Sequence, residues 1–84
     1  MKVDYSRKAV KQLKKLSRQK QIVVLRRIQR LKSDPQAGKR LKGELADFRS
    51  LKVWPYRILY RYSSQKKILL IDVIQHRQGV YKKS

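Results

Sequence analysis

The sequence of 84 residues contains no cysteine, a single histidine and only five acidic residues. Without cysteine the chain has neither a disulfide nor a thiolate metal site, which fits a reducing compartment such as the cytoplasm. The five carboxylates are scattered along the chain, at Asp4, Asp34, Glu44, Asp47 and Asp72. They offer no ligand set for a zinc centre or a two-metal nuclease, so we expect neither a metal nor another cofactor.

Long apolar runs and glycine-rich loops are also missing. The longest apolar run, ILLI at 68–71, is far too short to span a bilayer. The first residues, MKVDYSRK, lack the apolar centre of a signal peptide. The three glycines are far apart and form no phosphate-binding loop. We therefore expect a cytoplasmic protein with no membrane partner.

Positive charge is the property that this chain has in excess. Lysine and arginine number 24 against five acids, which gives a net charge of +19 at pH 7. So much charge on one small domain repels itself unless a polyanion or an acidic partner screens it. Nucleic acid is the first partner that the charge predicts, and an acidic protein is the second.

The first half of the chain predicts a short strand and two helices. MKVDY at 1–5 alternates as a strand, and Asp4 or Ser6 can cap the helix that follows. The apolar positions predicted to face the core are Ala9, Val10, Leu13 and Leu16 in the first helix, and Ile22, Leu25, Ile28 and Leu31 in the second. The second helix is expected to run to about Lys32, because SDPQAGK contains two breakers.

The second half has the period of two that strands require. In SLKVW, Leu51 and Val53 share one face while Lys52 and Trp54 share the other. YRILYRY alternates in the same way after a turn at Pro55, and KILLIDVI at 67–74 is a nearly continuous apolar strand. We expect Trp54 to cover a sheet edge. The order β-α-α-β-β-β predicts one α+β domain over residues 1–84, with an antiparallel sheet packed against a helical hairpin.

Metal-free RNA cleavage is the chemistry that this residue inventory permits. The 2′-hydroxyl of RNA is an internal nucleophile, so a protein has to align it, move protons and stabilise the charged phosphorane. Lys52, Arg57 and Arg61 are predicted to lie on the sheet face opposite the helices. The last strand is expected to deliver His76, Arg77 and Tyr81 to the end of the sheet.

Three sequence segments together resemble the RelE/ParE superfamily of bacterial and archaeal toxins. RLKGELADFRSLKVWPYRILYRY is similar to the family's Leu-x-Gly, Leu-Arg/Lys-Val and Tyr-Arg-Ile-x-Tyr series, and IQHRQGVY resembles its His-Arg-x-x-Val-Tyr ending. The resemblance covers nearly the whole chain. It implies a β-α-α-β-β-β fold, which a C-terminal helix can extend, and a toxin of a toxin–antitoxin pair.

The RelE-like branch implies a ribosome-dependent mRNA endoribonuclease, and the motif positions carry roles over. Lys52 matches a basic strand residue that accepts a proton, and Arg57 matches the arginine that contacts the scissile phosphate. Arg77 matches an arginine assigned to transition-state charge or leaving-group protonation, and Tyr81 a tyrosine that stacks on or orients the cut nucleotide. Further candidates for catalysis or RNA binding are Lys42, Arg49, Arg61 and His76.

Two departures from the pattern bear on the chemistry. RelE has a second strand lysine where this chain has Ser50, which leaves the identity of the general base open. Trp54-Pro55 stands in place of a turn that commonly contains glycine.

The predicted partners are mRNA, the ribosome and an acidic, RelB-like antitoxin in a heteromeric complex. Two alternatives stay open from the sequence. A ParE-type inhibitor of DNA gyrase would share the fold and the Tyr-Arg strand. A non-catalytic RNA-binding domain would account for the charge alone.

Overall fold

A computed structural model of the protein describes residues 1–76. In chain order the elements are β1 (Lys2–Tyr5), α1 (Arg7–Lys14), α2 (Arg18–Ser33), β2 (Lys39–Arg40), β3 (Arg49–Val53), β4 (Tyr56–Ser63) and β5 (Ile68–His76). One short 3₁₀ turn, Gly43–Leu45, lies between β2 and β3. The predicted α+β fold is confirmed, with the two-residue strand β2 as an addition to the predicted order.

The sheet has the strand order β1-β5-β4-β3-β2. The pairs β2–β3, β3–β4 and β4–β5 are antiparallel, as predicted, whereas β1 pairs in parallel with β5. The sheet is therefore mixed, with one parallel pair at its β1 edge. The chain reaches this arrangement by placing both helices, a two-residue strand and the β3–β4 hairpin between the two strands of the parallel pair.

Two serines begin the helices. The Ser6 hydroxyl accepts a hydrogen bond from the Ala9 backbone N–H at 3.0 Å, and the Ser17 hydroxyl accepts from the Lys20 N–H at 3.4 Å. These bonds satisfy donors that a helix start leaves without partners. Ser17 is therefore the residue at which the second predicted helix begins. Neither helix among residues 1–76 has the length and apolarity needed to cross a bilayer.

The core lies between the two helices and one face of the sheet. Its largest fully buried side chains are Tyr60, Ile28, Leu31, Ile58, Leu69, Ile71 and Val24. The predicted inward positions Ala9, Ile28 and Leu31 are thus confirmed, but Val10 and Leu25 are each 37% exposed and Ile22 is 44% exposed. In α1, Val10 is rotated by about 100° from its buried neighbour Ala9. In α2, each step of three residues turns the helix by about 300°, so after three such steps Ile22 and Leu31 lie on opposite faces. Val24 takes the inward position instead.

A bulge interrupts the pairing of β5 with β4. Leu59 pairs with Val73 and Tyr60 with Ile71, so Asp72 has no partner on β4. On the other edge of β5, β1 ends at the pair of Tyr5 with Ile71. Side chains of the next segment continue the edge bonding: the Ser6 hydroxyl donates to the Asp72 carbonyl, and the Gln12 Oε1 accepts from the Ile74 N–H at 2.7 Å. The edge of β5 beyond β1 is therefore bonded to α1 and its cap.

Candidate functional site

The face of the sheet that the helices leave uncovered, here called the open face, carries a polar row across three strands. Lys52 of β3 lies directly opposite Arg57 of β4, and Arg57 lies directly opposite Gln75 of β5. Their neighbours Leu51, Val53, Ile58 and Ile74 are buried on the helix side. Lys52 is exposed, and Arg57 and Gln75 are half-buried. Strand alternation thus places Lys52 and Arg57 together, as the sequence predicts.

A cavity of about 440 Å³ adjoins this row. Its lining residues are Lys39, Arg40, Leu41, Lys42, Ser50, Lys52 and Arg57. Five of these seven side chains are cationic and none is acidic. A concave site lined by charges of one sign concentrates ligands of the opposite sign, so this cationic cavity suits a phosphate-bearing chain. The candidate Lys42 joins Lys52 and Arg57 here.

Strand β2 supplies a cation beside Ser50. Lys39 is the direct cross-strand partner of Ser50, and both line the cationic cavity. The RelE-like pattern has a second lysine at the Ser50 position of β3. In this chain Lys39 supplies an ammonium group from β2, directly opposite that position. Sequence reasoning missed Lys39 and Arg40 because a two-residue strand has no periodicity to mark it.

Arg61 lies further along the open face. It pairs with Leu70 of β5. Arg61 lies four residues after Arg57 on β4, which is a separation of about 13 Å at the rise of a β-strand. Its guanidinium carbon lies 5.2 Å from the centre of the Phe48 ring, a distance at which a cation is attracted to an aromatic face. The structure therefore places this candidate outside the cationic cavity and against a ring.

Arg49 lies on the helix side of β3 and is bonded to the loop that precedes β2. Its Nη1 donates to the Gly38 carbonyl at 2.9 Å and to the Gln36 carbonyl at 3.3 Å. Its guanidinium carbon also lies 6.0 Å from the centre of the Tyr62 ring. The structure thus places this candidate apart from Lys52, with its donors directed at loop carbonyls.

The hydroxyl of Tyr60 holds the same loop from within the core. It donates to the Pro35 carbonyl at 2.6 Å and accepts from the Gly38 N–H at 2.9 Å. Burial raises the pKa of the Tyr60 phenol, which keeps the donor protonated, although the Gly38 N–H and the charge of Arg49 oppose the shift. A Cβ at Gly38 would stand only 2.7 Å from the ring and the hydroxyl oxygen. Tyr60 and Arg49 together fix the loop that leads into the β2 wall of the cationic cavity.

Replacing Tyr60 by phenylalanine is expected to destabilise the fold by about 1–3 kcal/mol, because the buried Gly38 N–H loses its acceptor. The measurement is urea unfolding followed by circular dichroism. Tyr62→Phe is the matched control, since it removes a hydroxyl from a half-buried tyrosine on the same strand and keeps the ring beside Arg49. Equal stability of the two variants would show that the Tyr60 hydroxyl does not hold the loop.

His76 reaches the same end of the sheet but the opposite face. It lies directly opposite Tyr56, and the two rings meet edge to face with centroids 5.3 Å apart. The Lys20 ammonium stands 5.9 Å from the centre of the Tyr56 ring. The imidazole therefore belongs to a cleft of about 360 Å³ between α1 and the sheet, rather than to the cationic cavity.

The remaining candidates, Arg77 and Tyr81, lie outside the described residues, and their roles stay predictions. Gln75 is a residue of the polar row that sequence reasoning missed, since an uncharged amide at the end of an apolar strand has no signal of its own. Among residues 1–76, no three side chains of the histidine, aspartate and glutamate types come together as metal ligands.

Comparison with known proteins identifies relatives by sequence and by fold. The family model described as the ParE toxin of the type II toxin–antitoxin system parDE matches residues 3–80. A search of curated proteins returns no significant match. A chain of the RelBE2 toxin–antitoxin complex from Mycobacterium tuberculosis is 29% identical, with a TM-score of 0.82 over 90% of this chain and 96% of that one.

Two further solved structures share the fold at lower identity. The YoeB/ParE toxin from Agrobacterium tumefaciens is 20% identical, with a TM-score of 0.80 over 90% of this chain and 98% of that one. The isolated RelE toxin of E. coli is also 20% identical, with a TM-score of 0.77 over 98% of this chain and 92% of that one. At this identity the likeness is evidence of the fold alone.

Proposed function

This chain belongs to the ParE toxin family of type II toxin–antitoxin systems, and from that premise we propose that it is a ribosome-dependent endoribonuclease that cuts mRNA without a metal ion. The observation that carries the proposal is the pair formed by Lys52 and Arg57, which face each other across β3 and β4 beside the cationic cavity. Five cations around one concave site suit the phosphates of an RNA strand.

The proposed reaction starts with attack of the RNA 2′-oxygen on the adjacent phosphorus. A bond forms between the 2′-oxygen and phosphorus, and the bond from phosphorus to the 5′-oxygen breaks, which leaves a 2′,3′-cyclic phosphate. In this scheme the uncharged amine form of Lys52 receives the proton of the 2′-hydroxyl and becomes an ammonium group, and Arg57 binds the phosphorane oxygens with its planar fork of donors. The leaving 5′-oxygen takes a proton from Arg77 or from water, since the resemblance assigns Arg77 either to leaving-group protonation or to the transition-state charge.

The serine at position 50 is compatible with this scheme because of Lys39. A second cation beside the scissile phosphate is supplied from β2, across the strand pair, and not from β3 itself. Lys39 thereby maintains the positive charge near the phosphorane, while Lys52 is the only lysine of β3 available as the general base.

An acidic antitoxin is the proposed protein partner. Three related structures, from Mycobacterium tuberculosis, E. coli and Pyrococcus horikoshii, are complexes of RelE-type toxins with RelB-type antitoxins. This chain has 24 basic residues and only five acidic ones, so an acidic protein would screen the repulsion among its positive charges. We expect a heteromeric complex whose affinity falls as salt is raised.

Inhibition of DNA gyrase is the second candidate function. The observation in its favour is the family model itself, which is that of the ParE toxin. In this case the cations of the open face would bind a partner and would not catalyse RNA cleavage.

Primer extension on mRNA from a translating extract separates these functions. The proposed enzyme is expected to give wild-type cuts at codons in the ribosomal A site, and Arg77→Ala is expected to remove them. Growth arrest with intact mRNA and accumulating gyrase cleavage complexes would overturn the proposal in favour of the second candidate. Intact mRNA without growth arrest would leave a basic RNA-binding domain.

A further inference from the structure

The only tryptophan of the chain is the most exposed of its large hydrophobic residues within the described region. Trp54 is 64% exposed and lies in a turn after β3, not within an edge strand. It forms the two-residue β3–β4 turn together with Pro55, between the cross-strand partners Val53 and Tyr56. The short turn therefore places the Trp54 backbone beyond the last residue pair of β3 and β4, with most of the side chain exposed.

The surroundings of Trp54 are cationic on both sides of the sheet. On the open face, the pair of Lys52 and Arg57 lies one residue pair behind the turn, about 7 Å away at the rise of a strand. On the helix side, Lys20 stands against the Tyr56 ring. An exposed aromatic ring next to phosphate-binding cations is the combination by which proteins hold single-stranded nucleic acid, since every base has a face that can stack.

We propose that Trp54 stacks on an unpaired base of single-stranded RNA whose neighbouring phosphate lies on Lys52 and Arg57. This inference rests on the proposed function for the presence of RNA at the cationic cavity, and goes beyond it by assigning a base-binding residue. The turn then fixes the direction in which the strand leaves the cavity, because the base beside the bound phosphate is held at the end of the sheet. The same ring also reports the contact, since no other tryptophan contributes to the fluorescence.

The test is titration of the full chain with a short single-stranded oligoribonucleotide that carries a fluorescent label. Stacking is expected to quench the tryptophan emission of the wild type in parallel with the anisotropy change of the label. The same oligonucleotide with abasic positions keeps the phosphates and is expected to bind without quenching. Trp54→Ala is expected to weaken binding about 5- to 150-fold, the range measured for one base stacked on an aromatic side chain.

Two controls separate stacking from charge and from folding. Trp54→Phe keeps an aromatic face and is expected to bind within about threefold of the wild type. The slope of log affinity against log salt is expected to stay the same in all three proteins, because no cation has been removed. Circular dichroism during urea unfolding checks that each variant is folded.

Each further outcome has one meaning. Tight RNA binding by the wild type without quenching, or unchanged affinity of Trp54→Ala, overturns the stacking role and leaves the proposed function standing. Equal loss of affinity in Trp54→Phe and Trp54→Ala also overturns it. Absence of RNA binding by the folded wild type overturns the stacking role alone, because the proposed cleavage depends on the ribosome and is decided by primer extension.

Discussion

Arg57→Ala is expected to lower the rate of mRNA cleavage on the ribosome by about 10²–10³-fold, the loss typical of removing one donor from a site that stabilises a charged transition state. Arg57 occupies the centre of the polar row, between Lys52 and Gln75. It is also half-buried, so it is less screened by water than the exposed Lys52. The measurement is the single-turnover rate with programmed ribosomes.

Two variants show whether this loss reflects chemistry. Arg57→Lys keeps the charge but not the planar fork, and is expected to recover only a small part of the rate. Arg61→Ala removes a guanidinium from the same strand and the same face, where it lies against Phe48 and outside the cationic cavity. Its cleavage rate is expected to stay within about threefold of the wild type. An equal loss in Arg57→Ala and Arg61→Ala would assign both arginines to general RNA binding and would contradict the proposed site.

Ile28→Ala is expected to destabilise the fold by about 2–5 kcal/mol, the usual cost of truncating a fully buried aliphatic side chain. Ile28 has no exposed surface and lies in the core between α2 and the sheet. Small domains have total stabilities of about 5–15 kcal/mol, so the variant loses a large share. For a domain of this size the melting temperature is expected to fall by about 10 °C or more, as scanning calorimetry would show.

Ile22→Ala is the matched control for this effect. It makes the same chemical change on the same helix at a residue that is 44% exposed, so its cost is expected to stay near or below about 1 kcal/mol. The two variants compare the face of α2 that the structure buries with a position that sequence reasoning had placed inside. Similar melting temperatures would mean that α2 does not pack as described.

Strand alternation was the most informative part of the sequence. A period of two assigns each residue of β3 and β4 to one face without knowledge of the partner strand, so the separation of Lys52 and Arg57 from Leu51 and Val53 followed from local pattern alone. The helix faces were harder, because a spacing of three fits the helical period over one turn but drifts over three turns. Ile22 and Leu25 were misplaced for that reason.

Contacts between distant segments could not be read from the sequence. The bonds from Tyr60 to Pro35 and Gly38 join positions 25 and 22 residues apart, and no local pattern announces them. The direction of the Arg49 side chain depends on two further acceptors of the same loop, the Gln36 and Gly38 carbonyls. Lys39 entered the site only because a loop fixed from the core brings a two-residue strand alongside Ser50. These features depend on tertiary packing, which overrides local preference.

The bulge at Asp72 determines which residue of β5 lies opposite Arg57. If β5 paired with β4 without the bulge, counting from the Ser63–Ile68 pair would set Ile74 beside Arg57 and Gln75 beside Tyr56. The unpaired residue shifts the second half of the strand by half a period, so that an amide and not a hydrocarbon adjoins the guanidinium. Excising residue 72 would leave every other pairing as it is. Asp72 is therefore one extra residue in β5 that the β4 pairing accommodates as a bulge. Its carbonyl accepts a hydrogen bond from the Ser6 hydroxyl and so anchors the start of α1.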